Sequence, residues 1–407
     1  MKVEKGIGFK HVFSDFFRDM NLQNFGAGLV AGIFGLSAGA IFLSAGTAGG
    51  LGTDFIMIWV TSFYLINGLF GILVPAYYRL PIPMANSIPG ALLFVAIIPV
   101  VGVGPALGAT LIAGFLSFLV GLSGAMKHVM RFTPAPIVMG MIGGVLLKFG
   151  LNLVEPFESA IVPAIIMIGA FALTMKFLPK FPAVLGALIA GIIYLLVIGV
   201  SFADVEFAID YPRFVLPEFS LYAFLAYGLP LTIILIGVET PAGVGLVKSG
   251  GYKEVPANGI TAINGFATMV SAFFTLHSTC IAAPMTGICA SRDAGDRDKR
   301  WVAAVIVGII FVSSAVFYSG IIAIFGATPP YFVAIIAGLA LAKVLASAIG
   351  TAVGGETHQL GGLFAFLIAA SGIQLFSIGA SFWALVFGIA ISLLVETKDF
   401  KFGNKMF

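Results

Sequence analysis

Residues 231–245 read LTIILIGVETPAGVG, and the acid at their centre, Glu239, is the one carboxylate among 18 acidic residues that falls inside an apolar run rather than at its end. A charged side chain at the middle of a membrane helix costs about 2.5–3.5 kcal/mol or more, so such residues face a cavity or a partner and mark working sites. A carboxyl shielded from water can take up and give back a proton, or it can orient a ligand. Two further stretches have the chemistry of an anion site. MANSIPGALLFV (84–95) and LHSTCIAAPMTGICA (276–290) each place small polar residues before a proline and then a helix-compatible run. Proline suits the first turn of a helix. Each stretch therefore reads as an extended approach followed by a helix N-terminus, whose free N–H groups and positive dipole end favour an anionic group. The candidate binding residues are Ser37, Asn86, Ser87, Ile88, Pro89, Glu239, Thr240, Ser278, Thr279 and Cys280, with Glu239 and His277 as candidates for proton coupling. The competing readings are plain ones. Glu239 and the small polar residues can be hydrogen-bonders between helices, His277 can be structural, and Cys280 can be a small packing residue.

The elements that must position these residues follow from composition. Of 407 residues 60% are hydrophobic and 10% charged, and the mean hydropathy is +1.10. A soluble chain carries roughly 25% charged residues, so this is an all-α polytopic membrane protein. A span takes about 20 apolar residues. Fourteen candidate segments lie near 24–44, 54–76, 84–98, 104–123, 132–151, 159–176, 182–199, 221–247, 257–276, 280–291, 301–325, 330–347, 361–376 and 378–395. The third and tenth, at 84–98 and 280–291, are too short to cross as helices and are read as half-helices. With the N-terminus inside, 18 of the 21 Lys and Arg fall on the cytoplasmic side and only Arg213 on the other, as the positive-inside rule requires. Both termini are thus expected in the cytoplasm of a cell-membrane protein. TPAPIVMGMIGGVLLK (133–148) and TPPYFVAIIAGLALAK (328–343) align at an offset of 195, where Pro89 also meets Pro284. Seven spans per half is an odd number, so the halves enter from opposite sides: two inverted 7-span repeats, an arrangement found in secondary transporters. The expected organisation is a cytoplasmic segment 1–23, a first repeat 24–199, an outer linker 200–218, a second repeat 219–395 and a cytoplasmic tail 396–407. No basic tract of the nucleic-acid-binding kind is present. Neither metal-ligand spacing, nor a phosphate-cradling glycine motif, nor a nucleophile–base pair is found, so no cofactor, ATP-driven pumping or enzyme activity is expected.

YYRLPIPMANSIPGALL (77–93), GLPLTIILIGVETPAGVGLVKSGGY (228–252), HSTCIAAPMTGICA (277–290) and SGIQLFSIGASFWALVFGI (371–389) resemble the benzoate/proton symporter family. That family shares a seven-plus-seven inverted fold with nucleobase/proton symporters and sulfate-type anion transporters. The resemblance implies a core domain from spans 1–4 and 8–11, a gate domain from spans 5–7 and 12–14, and a substrate between spans 3 and 10 against span 8. It also implies homodimers, which are common in the group. One departure stands out: Glu239-Thr240 occupies the place of the family's Gln-Asn pair, and an acid there is more like the nucleobase symporters. The expected function is proton-coupled symport of a small organic anion, aromatic carboxylates first, by alternating access. A nucleobase/proton symporter is the alternative, and an anion exchanger or channel comes after it. The expected partners are the anion, the proton and membrane lipid.

Overall fold

The computed structural model describes residues 3–36, 38–39, 42, 46, 49–126, 134–178, 181, 183–200, 212–317, 328–375 and 378–400. Each of the fourteen expected segments has a helical counterpart among them. An amphipathic α1 (Val12–Asp19) is followed by α2 (Leu22–Leu36), α3 (Thr53–Tyr78), α4 (Ile88–Val101), α5 (Val103–Ser123), α6 (Ala135–Val154), α7 (Ile161–Phe177) and α8 (Ala183–Val197). The second half holds α9 (Leu221–Ser249), α10 (Ala257–Ala272), α11 (Ala283–Ala290), α12 (Trp301–Val316), α13 (Pro330–Val353), α14 (Gln359–Ser371) and α15 (Ala380–Val395). Among the described residues, five helical stretches are long and apolar enough to cross a membrane, and α13 joins them if its bend is counted within one span.

The helices sort into two packing groups. In the first, α5 lies along α10, α3 along α12, and α2 along α12 and α11. In the second, α6 lies along α13 and α14, α14 along α15, and α7 along α8. Glycine makes the close pairings possible. A Cβ at Gly121 would stand 2.3 Å from the Ala262 nitrogen, and one at Gly265 would stand 2.2 Å from that of Phe118. Without a hydrophobic drive between helices in lipid, such close backbone approach is what holds α5 to α10.

The structure departs from the all-helical expectation in two places. Met84–Ala85 (β1) pairs antiparallel with Cys280–Ile281 (β2), in the register Met84↔Ile281 and Ala85↔Cys280. Gln374–Leu375 (β3) pairs with Ile378–Gly379 (β4). The first pair has a clear physical cause. The extended approaches to α4 and α11 meet inside the protein, where backbone N–H and C=O groups must find partners without water. A two-residue ladder supplies them, extended by Ala282 N–H donating to Pro83 O at 3.0 Å.

Candidate functional site

Three broken elements converge on one cavity. α4 starts after Ser87, whose Oγ accepts the Gly90 N–H at 3.2 Å as an N-cap, with Pro89 in the first turn. α11 starts after Ala282, with Pro284 in its first turn. α9 contains two π-helical turns, Phe224–Gly228 and Leu235–Glu239, each ending one residue before a Leu229-Pro230 or Thr240-Pro241 pair. A proline has no N–H to continue the i→i−4 ladder. The residue before it reaches back five instead: Leu229 N–H to Phe224 O, and Thr240 N–H to Leu235 O. Single π turns of this kind recur at functional sites. The second one ends on Glu239.

The cavity is about 180 Å³, the space of roughly six waters at ~30 Å³ each. One wall comes from α2, α3, α9 and α11, through Phe34, Phe63, Val238 and Met285, and the other from α6, through Met141, Ile142, Val145, Leu146 and Phe149. Among the described residues the polar lining is Asn86 and Glu239, and no lysine or arginine lines it. Glu239 is half-buried, its accessible surface lying on the cavity, and its carboxyl interacts with the Ser87 side chain. Asn86 is 8% exposed, and its amide nitrogen has no hydrogen-bond partner. An unpaired buried donor costs about 1–3 kcal/mol, and this one belongs to a residue that lines the cavity. A second cavity of about 460 Å³, bounded by Ser249, Arg292 and Ser347, shares Leu246 with the first.

Of the expected site residues, Asn86, Ile88, Pro89 and Glu239 line the cavity. Ser87, Thr240, Ser278, Thr279 and Cys280 do not; they are buried in the scaffold behind it. Ser87 N–H donates to Ser278 Oγ at 3.0 Å. Thr240 Oγ1 donates to Leu235 O at 3.0 Å and accepts from Asn264 Nδ2 at 3.1 Å. Thr279 N–H donates to Thr268 Oγ1, and its hydroxyl meets Ser271 Oγ at 2.8 Å. Cys280 belongs to β2, and both cysteines are free and buried. His277 is fully buried, with Trp59 Nε1–H donating to its Nδ1 at 3.1 Å and its Nε2 bonding Ser87 O at 2.9 Å. Ser37 lies outside the described residues.

The residues that sequence reasoning passed over are Asn264, Thr268 and Ser271 of α10. They stand at i, i+4 and i+7, one face of a helix, and that face serves the extended strand. Asn264 Oδ1 accepts Ile281 N–H at 3.1 Å, and Thr268 Oγ1 donates to Thr279 O at 3.1 Å. The polar spacing on an apolar helix was the available signal.

Comparison with known proteins agrees with this geometry. The chain is 31% identical over 381 residues to the inner membrane protein YdcO of Escherichia coli, covering 92% of this chain and 97% of that protein. It is 28% identical over 385 residues to the benzoate membrane transport protein of Acinetobacter baylyi, covering 94% and 97%. Its fold is similar to the transmembrane domain of the cyanobacterial bicarbonate transporter BicA, with TM-score 0.50 and 16% identity over 97% of this chain and 99% of that domain. It is also similar to SLC26A9, with TM-score 0.53 and 13% identity over 95% of this chain and 67% of that one. The family model described as benzoate membrane transport protein matches residues 18–394. The chain therefore belongs to the benzoate membrane transport protein family: it is a membrane transporter and not an enzyme.

Proposed function

We propose that this transporter carries a small aromatic carboxylate such as benzoate together with a proton, by alternating access. One observation carries the reading. The cavity is apolar on nearly every side and polar at one end, where the unpartnered Asn86 amide, Glu239 and the α4 and α11 N-termini meet. An apolar ring with one anionic head matches that division. A nucleobase asks for donors and acceptors around its whole edge; the acid at 239 favours that second reading, but the Phe, Met, Ile, Val and Leu walls do not. The name of the Acinetobacter relative points the same way.

Coupling follows from charge. Two carboxylates about 4 Å apart repel by about 4 kcal/mol at an effective dielectric near 20, roughly a thousandfold in affinity. The substrate anion therefore enters beside a protonated Glu239, and loss of the proton on the cytoplasmic side expels it. The two packing groups are the core and gate domains of the mechanism, with the cavity on their boundary. Support for two inverted repeats comes from the pairing of β1 with β2 and from the partnering of span 2 with span 11 and span 4 with span 9. The charge distribution supports cytoplasmic termini. In proteoliposomes, an inward proton gradient should accumulate labelled benzoate, with uracil, xanthine and sulfate as poor competitors. Glu239→Gln should still bind benzoate and lose the gradient's effect on uptake; unchanged gradient-driven uptake in that variant would refute the coupling role.

A further inference from the structure

His277 has the residue type of a proton carrier, yet every contact around it belongs to a fixed brace. Its ring is fully buried, between Trp59 at 5.6 Å, Phe94 at 5.8 Å and Phe42 at 5.9 Å between ring centroids. An indole N–H can only donate, so the nitrogen that Trp59 meets, Nδ1, bears no hydrogen. The ring hydrogen is then on Nε2 and donates to Ser87 O. Both ring nitrogens are used, and neither reaches the cavity. The titratable groups around it are the Tyr227 phenol, which donates to the His277 carbonyl at 3.4 Å, and Glu239, reached through Ser87. A second proton would break the Trp59 bond and place a charge in an aromatic shell.

What the ring holds is Ser87, and Ser87 is the junction of the site. Its N–H bonds Ser278, its carbonyl takes the imidazole, and its hydroxyl caps α4 and lies within electrostatic reach of Glu239. We infer that His277 is a positioning residue: a permanently neutral cross-brace that fixes Ser87, and through it both the α4 N-terminus and the Glu239 carboxyl, by tying them to Trp59 of α3. This rests on the reading of Glu239 as the proton site, and it removes His277 from the proton's path.

The experiment has two arms. In ¹⁵N-histidine-labelled full-length protein, the His277 signals are assigned by difference from His277→Gln, since the chain has 4 histidines. The expected result is one protonated and one unprotonated ring nitrogen that do not change between about pH 5 and pH 8, a range in which a free imidazole titrates. In proteoliposomes, His277→Gln, whose amide can still donate to Ser87 O, should keep both the pH profile and the gradient dependence of benzoate uptake. His277→Ala should raise KM about tenfold, the scale of one lost buried hydrogen bond, with gradient dependence intact. A His277 titration within that pH range, or loss of gradient dependence in His277→Gln with benzoate binding preserved, would overturn the inference. The spectroscopic arm does not depend on transport. Failure of the Glu239 reading shows separately, as gradient-driven uptake surviving in Glu239→Gln.

Discussion

Asn86 and Glu239 give the cavity its polar lining, an amide and a carboxyl, and under the proposed function they act as donor and titratable group. A hydrogen bond to a charged acceptor contributes about 1.5–3 kcal/mol. Asn86→Ala should therefore weaken benzoate binding by roughly 10- to 100-fold, measured by ligand-induced thermal shift at a pH where the wild type binds, with the unliganded melting point not lowered because the donor has no partner to lose. Both residues were legible in the sequence because each is a polar side chain inside an apolar run. The rest of the expected set was legible by type but not by direction. Side chains of an extended stretch alternate in direction, and nothing in MANSIP or HSTC says which faces the cavity. The answer came from partners on other elements: the Ser278 hydroxyl points at Ser87, and the Thr279 hydroxyl points at Ser271 of α10.

The helices that interrupt themselves depend on helices that do not. α10 runs unbroken and presents Asn264, Thr268 and Ser271 to the strand leading into α11. Asn264→Leu would strip the Ile281 N–H and Thr240 Oγ1 of a partner in a dry interior. The expected loss is about 1–3 kcal/mol for each buried group left unsatisfied, seen as a lower melting point in detergent. Ser371→Ala, on an exposed site, should stay within about 0.5 kcal/mol of wild type. The half-helices at 84–98 and 280–291 were legible from their length and prolines, and so was the proline break beside Glu239. The β1–β2 ladder was not. Two residues per strand leave no periodic signal, and their pairing is set by the crossing of segments nearly 200 positions apart.

The molecule gathers many of its charged residues at one end. Arg79 bonds Asp15 of α1 at 2.9 Å and lies over the Trp301 ring. Arg300 donates to Gly250 O, Ala290 O and Gly295 O, and Glu4 accepts from Asn258 and from Gly259 N–H. The N-terminal segment is thereby strapped across α3, α10 and α12. The bond from Arg79 holds the Asp15 carboxyl below the usual carboxylate range. A carboxylate depressed in this way stabilises the fold above its unfolded pKa of about 3.9, and that contribution is lost as pH falls through the lower folded value. Limited proteolysis of residues 3–20 should therefore accelerate below about pH 4 in the wild type and already at neutral pH in Asp15→Asn. The apolar, helical character of the chain was legible here because composition is a sum along the chain. Which helices pair was not, because close approach through glycine depends on which faces meet. One consequence of the short ladder reaches across the whole protein. Each of its strands comes from a different half of the chain, and each runs into a helix tip on the cavity wall. The two tips are yoked: whatever tugs one drags its twin, and under the proposed function both would grip or let go of the substrate carboxylate in a single stroke.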